Sequence, residues 1–166
     1  MTRSSLTTVR SEPAASATAA SGTLLVKAET LTMTTDNTLQ LLDVTDEVMK
    51  RVQALRVREG TATLSSLHTT CAVLVNESQT ALRADMQQFL EHVVDPATPW
   101  LHNDPHHSDC SRMNAAAHLR ALMLSHSLTM QISGGELVLG QWQRVLVAEL
   151  DGPRTRSFRL QVMGVA

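Results

Sequence analysis

The chain predicts one α+β domain, a mainly antiparallel sheet packed with about three helices. Three observations carry this. Short runs rich in Thr, Val and Leu are separated by turn signals, the sharpest being Gly134-Gly135. Other stretches repeat apolar residues every three to four positions, the period of an amphipathic helix. At 166 residues the chain is long enough for one proper core and too short for two ordinary domains.

Residues 1–22 are Ser, Thr and Ala with scattered charge and no apolar period, which cannot bury enough surface to offset the entropy of ordering. They read as a disordered tail; an organelle transit peptide is the alternative, disfavoured by the lack of an amphipathic face. The domain is assigned to residues 23–166. Its first strand is 24–33, with 38–42 as a hairpin partner across Thr35-Asp36-Asn37. Val44, Val48, Val52 and Leu55 then mark a helix, with Asp43, Asp46 and Glu47 where its N-terminus favours negative charge, ended by Gly60. Residues 61–67 and 71–75 read as sheet, and 78–92 as a helix turning Leu82, Met86, Phe89 and Leu90 inward. Residues 93–113 form a proline-punctuated loop, of a length that usually signals function or disorder.

The third helix, 114–124, is alanine-rich, which allows close approach to a sheet, and it sets Asn114 and His118 on one face. Runs 128–132 and 136–139 flank Gly134-Gly135 as a hairpin, and 144–150 and 157–162 flank Asp151-Gly152-Pro153 as a second one. The unbroken apolar run Val145, Leu146, Val147 and Ala148 implies a strand covered on both faces, by helices on one side, with another subunit a candidate for the other.

Composition excludes several classes. The formal charge is −2, Tyr is absent, and Phe89, Phe158, Trp100 and Trp142 are the only aromatics, so a nucleic-acid partner is not expected. No apolar run approaches the ~20 residues of a membrane span and no secretory leader is evident, so a soluble cytoplasmic protein is expected. Cys71, inside an apolar run, reads as a small buried hydrophobe, whereas Cys110, in the polar loop, is a candidate metal ligand.

Chemistry is expected where histidines and carboxylates accumulate. His102, His106 and His107 interleave with Asp104, Asp109 and Cys110, and His118 follows on the third helix. Imidazole with carboxylate is what a borderline divalent metal binds. His68 follows a strand, where a hydrogen-bonded structural histidine is the plainer reading, and Asn76-Glu77 is equally well a helix start. Arg154 and Arg156 are two apart at a strand start, on one face and about 7 Å apart, a spacing that suits phosphate or carboxylate. Salt bridging within the protein is the commoner fate of such a pair. Trp142 is expected in the core.

The ordered set His68-Thr69-Thr70, Asn76-Glu77, Asp85, His102-Asn103-Asp104, Asn114 to His118-Leu119, Leu139-Gly140 with Trp142, and Glu149-Leu150-Asp151-Gly152-Pro153-Arg154 with Arg156 resembles the YjbQ-like family, often named secondary thiamine-phosphate synthases. The resemblance covers about 61–164 well and 23–60 loosely. Ser125 and Gln141 stand where the family usually has glycine and threonine. It implies a compact α+β fold, a homotrimer and a pocket gathering His68, Glu77, Asp85, His102, Asp104, Asn114, His118, Arg154 and Arg156. His106, His107, Asp109 and Cys110 fall where the pattern is loose.

The expected function is that of an enzyme of small phosphorylated metabolites, with thiamine-phosphate-synthase-like joining of a pyrimidine diphosphate to a thiazole phosphate as the activity the resemblance implies. In this reading Arg154 and Arg156 hold phosphate, while His102, His118 and His68 bind a divalent metal: zinc, manganese, iron or magnesium. His68, Glu77, Asp85, Asp104 and Asn114 are the catalytic candidates. Imidazole ligands suit zinc, iron or manganese better than magnesium, so a metal-assisted phosphate-ester hydrolase stands beside it. A non-catalytic trimeric protein binding metal or a phosphorylated ligand is the reading from outside enzymes. No organic cofactor is expected.

Overall fold

The computed structural model describes residues 19–166, and the tail assigned to 1–22 lies largely outside them. Two antiparallel sheets pack face to face. The larger takes strands β1 (Leu24–Thr34), β8 (Thr155–Val165), β3 (Glu59–Ser66), β5 (Ser127–Ser133) and β6 (Glu136–Leu137), in that order. The smaller takes β2 (Gln40–Asp43), β7 (Arg144–Glu149) and β4 (Cys71–Asn76). Helix α1 (Thr45–Leu55) inserts Val48 and Val52 into the core between the sheets. Helices α2 (Thr80–Val93) and α3 (Ala115–Met123) cover the outer face of the smaller sheet.

Period-two alternation assigns the strand faces. On β7, Val145 and Val147 enter the core between the sheets, while Ala148, with Leu150 just beyond the strand, packs toward the helices beside Leu41, Ala72, Leu90 and Ala117. The second cover of this apolar strand is therefore the chain's own larger sheet, not another subunit. On β8, Phe158, Leu160 and Val162 face the same inter-sheet core.

Two expected hairpins are instead crossings between sheets. β1 pairs with β8 and β2 with β7, so Thr35-Asp36-Asn37 carries the chain from one layer to the other. Asp151-Gly152-Pro153 does the same between β7 and β8. The Gly134-Gly135 hairpin does form, both residues taking the positive φ (62° and 85°) that a tight β-turn requires. Helix α1 ends at Arg56, in the left-handed region, rather than at Gly60. Gly60 lies opposite Gly164 across β3 and β8, where an added Cβ would stand 2.1 Å from the Met163 carbonyl oxygen. Of the α2 residues expected to face inward, Leu90 is buried but Phe89 is 58 % exposed. Trp142 is likewise exposed, not in the core.

Candidate functional site

The inward faces of the two sheets run out at one end of the sandwich, and the alternation there delivers polar groups. Glu149 continues the Val145 and Val147 side of β7, and Arg156 the Phe158 side of β8. Thr35 follows Leu31 and Met33 along the inward side of the first strand. These meet as one buried network. Arg156 donates through Nε to Glu149 Oε2 (2.6 Å) and through Nη2 to Glu149 Oε1 and to the Thr70 hydroxyl (3.0 Å). The Thr35 hydroxyl donates to Glu149 Oε2 (3.0 Å), and the backbone N–H groups of Leu150 and Asp151 donate to Oε1. Burial raises the Glu149 pKa, but Arg156 and these donors outweigh it and hold the carboxyl below its ordinary range.

His68 borders this network. Its Nε2 accepts the backbone N–H of Ser157 (2.8 Å), which leaves the ring hydrogen on Nδ1. Burial, with the Arg156 charge second, lowers its pKa. Cys71 lies buried beside the same pair, its thiol pushed up to about 11 by burial and by Glu149, so it behaves as the inert hydrophobe expected.

Outward from this plug the groups are incompletely paired. The Thr35 hydroxyl accepts the backbone N–H of Arg154 (2.9 Å), and the Arg154 guanidinium closes on Asp151, Nη2 to Oδ2 at 2.9 Å. Asp151 Oδ2 also accepts Asn114 Nδ2 (2.9 Å), and Asn114 Oδ1 lies 3.2 Å from His102 Nε2. His102 sits on a single 3₁₀ turn (Leu101–Asn103), where the Asn103 side chain accepts the first N–H of α3. That contact ties the His102 turn to the helix carrying His118. The two rings meet edge to face with centroids 5.1 Å apart. Burial first, and the neighbouring His102 second, lower the His118 pKa, so the ring is neutral near pH 7. Neither His118 nitrogen has a hydrogen-bond partner among the described residues.

The structure thus joins His102, His118, Asn114 and Arg154, and adds Asp151. His68 lies beside Arg156, and among the described residues it has no hydrogen bond or ring contact to either imidazole and no three His, Cys, Asp or Glu side chains form a group able to hold a metal. The set of His68, His102 and His118 is therefore not assembled as a three-ligand centre within one chain. Arg156, only 3 % exposed, is bound to Glu149 and Thr70, so the two arginines have different surroundings rather than one shared face. Asp104 accepts the His106 N–H and pairs with His107 (2.9 Å), organising the loop. Glu77 follows Asn76, which pairs with Arg144 at the end of β7 remote from Glu149, and Asp85 is an exposed position on α2.

Asp151, Glu149 and Thr35 were not singled out from the sequence. The first two stood in the motif, and the i, i+2 spacing of Glu149 from Val147 could have placed Glu149 inward. Thr35 carried no signal beyond its parity with Leu31 and Met33.

A family model described as "UPF0047 protein YjbQ-like" matches residues 29–165. A UPF0047 protein of Archaeoglobus fulgidus is 36 % identical over 126 residues, 76 % of this chain and 93 % of that relative. The UPF0047 protein YugU of Bacillus subtilis is 30 % identical over 82 % of this chain and 98 % of its own length. Among solved structures, a YbjQ-like protein of unknown function from Sulfolobus solfataricus superposes with a TM-score of 0.79 at 29 % identity, covering 86 % of this chain and 99 % of that one. A hypothetical protein from Aeropyrum pernix gives 0.76 at 36 % identity, covering 83 % and 98 %. The two-sheet sandwich, the linked motif residues His102, Asn114, His118 and Arg154 at its polar end and these likenesses along almost the whole domain agree that the chain belongs to the YjbQ-like UPF0047 family.

Proposed function

We propose that the chain is an enzyme of small phosphorylated metabolites whose chemistry runs at His118 and His102. The observation that carries the proposal is His118 itself: half-buried, in edge contact with a second imidazole, neutral at neutral pH and without a protein partner on either nitrogen. A neutral imidazole of this kind is suited to take or give a proton. Arg154 is linked to the histidine pair through Asp151 and Asn114, with Nη1 unpartnered among the described residues and its side chain one-third exposed. That edge is the natural anchor for a phosphate; Arg156, 3 % exposed and held by Glu149 through Nε and Nη2, is too buried to serve. Thiamine-phosphate-synthase-like transfer, with diphosphate leaving the pyrimidine and the thiazole nitrogen attacking, remains the substrate reading that the family resemblance supports. A homotrimer in the cytoplasm completes it; no helix among the described residues is long and apolar enough to cross a membrane.

A metal-assisted phosphate-ester hydrolase is the second reading, favoured by the imidazole nitrogens of His102 and His118 that carry no hydrogen bond. A metal there would act as a Lewis acid on a phosphoryl oxygen, with the two histidines as its protein ligands and further donors from outside this pair.

The test compares wild type with His118→Ala and Arg154→Ala, assayed with a pyrimidine diphosphate plus a thiazole phosphate, with a simple phosphate ester, and by calorimetry with inorganic diphosphate. His118→Ala should lose roughly 10²–10⁴ in kcat and keep diphosphate affinity. Arg154→Ala should weaken diphosphate by about 1.5–3 kcal/mol. Binding without turnover of either substrate, unchanged in His118→Ala, would replace the enzyme with a binding protein. Metal content by mass spectrometry separates the two enzymatic readings.

A further inference from the structure

We propose that Asp151, acting through Asn114, sets the tautomer of His102, so that Nδ1 and not Nε2 is the nitrogen His102 offers to a ligand or proton. The argument is one of donors and acceptors. Arg154 binds Asp151 through Nε (to the backbone carbonyl at 2.7 Å and to Oδ2 at 3.2 Å) and through Nη2 (to Oδ2 at 2.9 Å). A carboxylate held this way only accepts. The Asn114 amide must therefore turn Nδ2 toward Asp151, as the 2.9 Å contact has it.

The other end of that amide is then fixed. Oδ1 faces His102 Nε2 at 3.2 Å and also accepts from Cys110 Sγ at 3.9 Å. An amide oxygen cannot donate, so in the neutral ring the hydrogen sits on Nε2 and the lone pair on Nδ1. Nδ1 has no hydrogen-bond partner among the described residues. Asn114 is 8 % exposed, so water does not compete freely for its amide. His68 has the opposite form, since its Nε2 accepts from Ser157. Two histidines at one end of the sandwich are thereby held in opposite tautomers, one by a backbone N–H and one by a carboxylate two hydrogen bonds away. Asp151 is a positioning residue in this scheme, serving His102 as a buried carboxylate serves a catalytic or metal-binding imidazole elsewhere.

The use of Nδ1 in catalysis rests on the function proposed above; the tautomer does not, and it is read without substrate. Full-length protein labelled with ¹⁵N at histidine, at about pH 8 where imidazoles are neutral, reports which nitrogen of each ring is protonated, His102→Gln and His68→Gln assigning the signals. Wild type should show His102 as Nε2–H and His68 as Nδ1–H. In Asp151→Asn the side chain at 151 can donate as well as accept, Asn114 is free to reverse, and the His102 signals should move to a mixture containing Nδ1–H while those of His68 stay put. Wild-type His102 in the Nδ1–H form overturns the proposal whatever the variant does. An Asp151→Asn protein whose His102 remains wholly Nε2–H removes Asp151 from the role.

Discussion

Arg156 and His118 stand at the same end of the same sandwich and have opposite circumstances. Around Arg156, which is 3 % exposed, Glu149 takes both Nε and Nη2, and Thr35 and Thr70 complete the buried pairing. Around His118, two imidazoles meet with three of their four nitrogens unpartnered among the described residues, and the charged pair linked to them, Asp151 with Arg154, keeps an open edge. A buried, mutually paired network holds the ends of two sheets together and is closed off from a ligand. An unsaturated one costs stability unless something binds, which is why it marks a functional site. Both regions contain a carboxylate and an arginine, so residue type does not distinguish them. Pairing and burial do.

The largest test of this contrast is Glu149→Ala. Glu149 is fully buried, and its loss strands the Arg156 guanidinium in the core, an expected cost of about 3–5 kcal/mol in urea-induced unfolding. A cost below about 1 kcal/mol, the ordinary scale of one neutral hydrogen bond, would show that water already satisfies Arg156 and would dissolve the distinction. Next is the corner that joins the regions. A Cβ on Gly152 would stand 2.2 Å from the Asn37 carbonyl oxygen, 2.8 Å from Glu149 Cγ and 2.9 Å from the Thr35 hydroxyl. Gly152→Ala should therefore cost about 1–3 kcal/mol, seen as a fall in Tm. It should also disturb the Asp151 contacts, linking plug to pocket.

The smallest effect is in the pH dependence. His68 and His118 have folded-state pKa values below the ordinary 6.5, so the unfolded chain takes up protons first as pH falls. Their contribution to stability is complete above pH 6.5 and is lost as pH drops through the lower folded values. Glu149 acts further down: its contribution is complete above 4.5 and disappears as pH falls toward its depressed folded value. Unfolding titrations should show two separate declines, and His118→Gln should flatten the upper one without touching the lower. An unchanged upper slope would mean that His118 is as freely hydrated as in the unfolded chain.

Local patterns were readable where local physics decides them. Gly134-Gly135 gave a hairpin because both residues must take positive φ, which glycine adopts without strain. The third helix follows from its alanine run, and the strand positions from runs of Thr, Val and Leu. Of the motif residues, His102, Asn114, His118 and Arg154 lie in one linked set, whereas Glu77, Asp85 and Asp104 stand apart from it. The layer to which each strand belongs did not follow. Alternation says that a strand has two faces, not which sheet it joins, and a sandwich corner uses the same Asp, Asn and Gly residues as a hairpin. Whether β2 pairs with β1 or β7, and whether β7 is covered by a neighbour or by its own chain, depends on contacts between residues about a hundred positions apart. The same holds for the arginines. Two guanidiniums two residues apart are equal candidates for phosphate until the fold presents Glu149 to one and leaves the other half-paired at the surface, because the charge state and free capacity of a polar side chain are set by what packs against it.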